Sequence, residues 1–165
     1  MSERTIIKEI SAISTQAGSS RHDRKPNEGE KMDLIIREAE EMDLESIISI
    51  FKQPEMDNGE VISLEKAKDI FKKTKKYPFF KVYVAVLENK VVGTFELLIM
   101  DNLAHQGVPS GIIEDVAVSE DYQGKGIGKE MMRFAMKVCK DFGCYKVTLS
   151  SNLKRENAHK QSTGT

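Results

Sequence analysis

The chain has 165 residues, 39% of them hydrophobic, with 25 basic against 26 acidic side chains and a formal net charge of −1. That length fits one domain with an ordinary core, and the charge balance gives no global pull toward nucleic acid and no basic stripe with interleaved aromatics. The apolar runs are too short to span a bilayer and the first residues lack a signal peptide's apolar stretch, so a soluble, cytoplasmic protein without membrane or nucleic-acid partners is expected.

From Ser14 to Lys31 the only hydrophobic residue is Ala17. Such a stretch buries too little apolar surface to offset its ordering entropy. Residues 1–31 are therefore expected to form a disordered tail, with Ile6, Ile10 and Ile13 making at most a frayed helical stripe. The folded domain is expected over 32–160, followed by a short divergent tail at 161–165. Leu34, Ile35 and Ile36 predict a strand. Asp43 is placed to cap a first helix carrying Leu44, Ile47, Ile48 and Phe51 at helical spacing. Pro54, Asn58 and Gly59 end it. Ser63 caps a second helix with Leu64, Ala67 and Phe71 on its inner face. Lys72, Lys73, Lys75 and Lys76 gather at its C-terminus, where the helix dipole favours cations.

Residues 81–87 and 91–100 predict a hairpin through Glu88, Asn89 and Lys90. A polar loop over 101–110 leads into a strand at 111–118. The turn at 122–128 is Gly-rich. Ile127, Met131, Phe134 and Val138 then mark a strongly periodic helix that Gly143 ends. Tyr145, Val147 and Leu149 alternate in a last strand. This order predicts an α/β (α+β) domain with a mixed, mostly antiparallel central sheet flanked by helices. Cys139 and Cys144 read as reduced, partly buried thiols. Neither they nor His22, His105 and His159 have metal-ligand spacing, so no metal is expected.

The informative segment is Ile112 to Lys129, IIEDVAVSEDYQGKGIGK. Gln123-Gly-Lys-Gly-Ile-Gly128 follows a strand and opens a helix. Its glycines let the backbone turn tightly and approach a ligand closely. The helix start adds unpaired amides and the positive end of a dipole. Together these form an anion cradle suited to a pyrophosphate, with Lys125 and Lys129 at its rim. The spacing is not that of a dinucleotide fingerprint, and no Gly-Lys-Ser/Thr is present for a Walker A loop.

Gln123-x-x-Gly126-x-Gly128 matches the Gln/Arg-x-x-Gly-x-Gly/Ala signature of the Gcn5-related N-acetyltransferases (GNAT). With the IEDVAV segment and Gly143-Cys-Tyr-Lys-Val147, the chain resembles the glucosamine-phosphate acetyltransferase branch and its small bacterial relatives, over roughly Leu34 to His159. The resemblance implies an acyl-CoA N-acyltransferase fold whose sheet splays open between its fourth and fifth strands. Acetyl-CoA is then the co-substrate. Its pantetheine arm would lie along the backbone of Val116, Ala117 and Val118, beside Gln123, and its pyrophosphate on the amides of Gly124, Gly126, Ile127, Gly128 and Lys129. A backbone amide near Val116 would hold the thioester oxyanion.

Acetyl transfer to a primary amine needs a base, because alkylammonium titrates near 10.4. Glu114 and Asp115 lie on the strand that would hold the thioester, and strand alternation sends them to opposite faces. Glu114 is the expected base, with Asp115 as a substrate-binding or backup group. A structural ion pair is the competing role for either. Asn102, His105 and Gln106 are polar candidates for contacting the small-molecule amine, against the simpler reading of a solvated loop.

After Ser151, residues 152–160 match the family's next helix, while its Phe-Tyr pair, Gly-Phe turn and two last strands have no counterpart in Gln161-Ser-Thr-Gly-Thr165. The family's tyrosine acid is then missing, and the fifth strand's edge invites a homodimer or a borrowed strand. The alternative expectation is a catalytically impaired module that binds coenzyme A or serves in assembly.

Overall fold

The computed structural model describes residues 5–11, 33–54, 56–57 and 59–152. Its β-branched runs pair into one sheet. The strands are β1 (Thr5–Ser11), β2 (Leu34–Glu38), β3 (Phe80–Leu87), β4 (Lys90–Met100), β5 (Ser110–Val118) and β6 (Lys146–Asn152), in the order β1-β6-β5-β4-β3-β2. Every neighbouring pair is antiparallel except β5 with β6. The expected mixed, mostly antiparallel sheet is present.

Helices α1 (Leu44–Phe51) and α2 (Leu64–Thr74) cover one face, and α3 (Ile127–Asp141) covers the other. Strand alternation divides the core between them. Val84 packs with Leu44, Ile47 and Phe71 of α1 and α2, while its neighbours Tyr83 and Ala85 pack with Met131 and Ala135 of α3. The last helix comes close to the sheet. A Cβ on Gly93 would stand 2.7 Å from Met131 Sδ, and one on Gly111 would run into Cys139 Sγ. Cys139 is buried, and burial pushes its thiol up to about 12.

Several local expectations hold. Ser63 Oγ accepts from the Lys66 amide at 3.2 Å. Glu88 and Asn89 take φ of +48° and +62° in the hairpin turn, the left-handed pair that a two-residue hairpin requires. Gly143 follows α3 at φ +74°.

Two expectations are corrected. The first is the tail: Thr5–Ser11 is a strand, not a disordered or helical segment, and β1 pairs with β6 along its length, from Thr5 opposite Asn152 to Ser11 opposite Lys146. A strand's stability comes from its partner, and here that partner lies far along the chain, where local periodicity carries no trace of it. The edge of β6 is thus covered from within the chain. The second is Asp43, which makes no side-chain cap for α1. Its carboxylate instead accepts from Arg37 Nη1 and Nη2 at 2.7 and 2.9 Å and from the Glu40 amide at 2.7 Å. The expectations for residues 12–32 and 153–165, and for Asn58, lie outside the described residues.

Burial alone would raise the Asp43 pKa, but the hydrogen bonds from Arg37 and Glu40 outweigh it and hold the carboxyl below its ordinary value. A depressed folded-state pKa contributes stability that is complete above the ordinary carboxylate range and is lost as pH falls through the folded value. Urea midpoints should therefore drop below about pH 4. Asp43→Asn should flatten that drop and cost about 1–3 kcal/mol at pH 6.

Candidate active site

The sheet opens along β5. Ser110 pairs with Lys146 and Ile113 with Leu149, but β6 offers no strand partner to residues 114–118. On its other edge β5 stays paired with β4, with a slip in register. Thr94 faces Ala117 and Glu96 faces Glu114, so Asp115 and Val116 together oppose Phe95. This is a β-bulge, which bends the strand and re-aims its side chains. Asp115 has φ +50°, a left-handed conformation that Asp tolerates better than most residues.

The bulge corrects the strict alternation expected for Glu114 and Asp115. Glu114 is half-buried and Asp115 is exposed. Both remain beside the opening, as does the backbone of Val116, Ala117 and Val118.

Beyond Val118 the chain makes a short 3-10 turn at Glu120–Tyr122 and enters the Gly-rich loop. The Val118 carbonyl accepts from Gln53 Nε2 at 3.2 Å and from Gln123 Nε2 at 3.1 Å. Gln53 Oε1 in turn accepts from the Glu120 amide at 2.6 Å. The signature glutamine therefore braces the strand end, and the residues following α1 are tied to the same point. Gln53 went unnoticed in the sequence, where nothing distinguishes it from a solvated glutamine.

Gly124 and Gly126 have φ of +74° and +84°, and a Cβ on either meets no atom within 4 Å. Conformation, not crowding, selects glycine here. Among the described residues no protein acceptor takes the amides of Gly124, Lys125, Gly126, Ile127, Gly128 or Lys129. Gly126 is the N-cap of α3, so these donors sit at the positive end of a helix 15 residues long. That is an arrangement suited to phosphate oxygens. Lys125 Nζ lies 4.8 Å from the Tyr122 ring centroid, and Lys129 is exposed.

Sequence reasoning also missed Glu96. It is the only charged residue in residues 91–100, VVGTFELLIM, and an acid inside an apolar strand was the available signal. Glu96 lies on the α1/α2 side, lining a cleft of about 140 Å³ with Leu44, Ile47, Phe51, Ile70 and Val82. Burial raises its carboxyl to about 7, with the charges of Asp115 and Glu114 adding to the shift.

A carboxyl whose folded pKa is raised binds its proton more tightly in the folded state, so stability falls as pH rises from about 4.5 to about 7. This group should contribute a decline of about 3 kcal/mol at most. Chemical denaturation across that window should show the decline, and Glu96→Gln should flatten it.

The loop at 101–110 is not at this site. It joins β4 to β5 at the end opposite the Gly-rich loop, roughly 25 Å away along the strand. Asn102 Nδ2 donates to the Val108 carbonyl at 2.9 Å, and the His105 ring rests 4.2 Å from that of Tyr145. Neither faces the opening. A larger cavity of about 710 Å³ also lies at that far end, lined by Phe71, Tyr77, Phe79, Tyr83 and Phe142. It has no part in the cradle.

The acetyltransferase (GNAT) family model matches residues 36–164. A glucosamine 6-phosphate N-acetyltransferase of Trypanosoma brucei brucei is 35% identical over 74 residues, 45% of this chain and 50% of that protein. One of Arabidopsis thaliana is 34% identical over 67 residues, 41% of this chain and 45% of that protein. The matched segment thus spans about half the length of these curated relatives. The solved structure of glucosamine-6-phosphate N-acetyltransferase from Arabidopsis thaliana superimposes with a TM-score of 0.67 at 26% identity, over 80% of this chain and 92% of that one.

Proposed function

This chain belongs to the acetyltransferase (GNAT) family, and on that premise we propose that it transfers an acetyl group from acetyl-CoA to the primary amine of a small molecule. The observation that carries the reading is the run of amides at 124–129 with no acceptor among the described residues, beside a sheet that parts at Ile113. The pyrophosphate rests on Gly124, Gly126, Ile127, Gly128 and Lys129. The pantetheine arm follows Val116, Ala117 and Val118 into the opening, and Lys125 adds charge at the rim.

Acetyl-CoA supplies an activated acyl carbon. The chain's own residues hold it and manage the protons. Glu114 stands next to the bulge and half-buried, as a base for the incoming ammonium should. Asp115, exposed at the crest of the bulge, orients the acceptor. The amine is a small molecule, and the amine panel includes glucosamine 6-phosphate, for which the curated relatives are named. Thiol release from acetyl-CoA over a panel of primary amines tests the proposal. Turnover with at least one amine and none without is expected. Failure to bind acetyl-CoA at all would refute it.

A further inference from the structure

Glu96 stands in a cleft that holds no positive charge among the described residues. Its walls are Leu44, Ile47 and Phe51 of α1, Ile70 of α2, and Val61 and Ile62 just before α2. Among the described residues no Lys, Arg or His lines it. Among the described residues no hydrogen bond or ion pair reaches the Glu96 carboxyl. The charged groups that face it are Glu114 and Asp115 of β5, and Asp57 of the turn after α1 shares the cleft. An acid in such surroundings is costly unless a partner compensates it, and the charges of Glu114 and Asp115 add to that cost for Glu96.

A single cation in the cleft would offset the cost to Glu96. The carboxylates do not form a metal-ligand group among the described residues. An ammonium needs fewer and less strictly placed acceptors than a metal. The remaining wall is largely aliphatic and aromatic, which suits an apolar body, and among the described residues it offers a phosphate dianion no cation.

Building on the acetyl-transfer reading, we infer that the acceptor is a primary amine carried on a small apolar, unphosphorylated body, whose ammonium is received by Glu96 beside Glu114 while its body packs between α1 and α2. The protons balance. The ammonium, held by Glu96, gives one proton to Glu114 opposite it, and the neutral nitrogen attacks the thioester carbonyl. The new C–N bond forms, the C–S bond breaks, and the nitrogen's second proton passes to the departing thiolate. Products are the N-acetyl amine, coenzyme A and protonated Glu114.

The test is an NMR titration of the Glu96 side-chain carboxyl in the full chain, without acetyl-CoA, in the absence and presence of phenethylamine. The amine should lower the Glu96 titration midpoint by about one pH unit or more. In turnover, kcat/KM for phenethylamine should exceed that for glucosamine 6-phosphate by about tenfold or more, and Glu96→Gln should raise the amine KM by a similar factor with acetyl-CoA affinity unchanged. A midpoint that phenethylamine leaves in place, or a preference for the phosphosugar, overturns the inference. The midpoint needs no co-substrate, so its failure is distinct from a failure of the acetyl-transfer reading, which would appear as loss of acetyl-CoA binding by the native chain.

Discussion

Gly126→Asp should leave the fold standing and weaken acetyl-CoA binding by about three orders of magnitude. At 4 Å and an effective dielectric near 20, a carboxylate opposes one phosphate charge by about 4 kcal/mol. The fold should tolerate the change because the native residue sits at φ +84° in open space, and Asp is among the few residues that accept this conformation. The same open space is what the new side chain would fill, against the ligand. Gly126→Asn separates the causes. It carries nearly the same volume without the charge, so calorimetry should show a smaller loss. Equal affinity for the Asp variant and the native chain would remove the phosphate cradle from this loop.

Glu114→Gln should lower kcat by about 100- to 10,000-fold, the range typical of a lost general base, with acetyl-CoA affinity unchanged. Glu114 faces Glu96 across the β4–β5 pair, next to the bulge. That position lets it take a proton from an amine aimed into the opening. The amide keeps the shape and removes the proton acceptor. The split between the two acids is the informative part. Glu114→Gln should act on kcat, while Glu96→Gln should act mainly on the amine KM. A Glu114→Gln variant with native kcat at neutral pH would transfer the role of base elsewhere.

What the sequence revealed was what local chemistry dictates. The amphipathic spacing of Leu44, Ile47 and Phe51, the Ser63 cap and the Glu88-Asn89 turn each depend on residues within a few positions of one another, and each is present. The Gly124 and Gly126 turn belongs to the same class, because a left-handed backbone leaves a residue-type signature. Long-range pairing leaves none. Thr5–Ser11 is a strand only because β6 presents a free edge to it. The bulge at Asp115 and Val116 arises from the β4 register, not from its own residues. Asp43 looked like a cap until Arg37 came within 2.7 Å. Glu96 was legible as an anomaly, an acid amid valine, phenylalanine and leucine, but its meaning needed the cleft beneath α1 and α2.

Backbone amide spectra recorded while coenzyme A is added test the phosphate cradle most directly. The resonances of residues 124–129 should move together and saturate, because their N–H groups gain acceptors that the protein does not supply. Large shifts confined to other residues, with 124–129 unmoved, would contradict it.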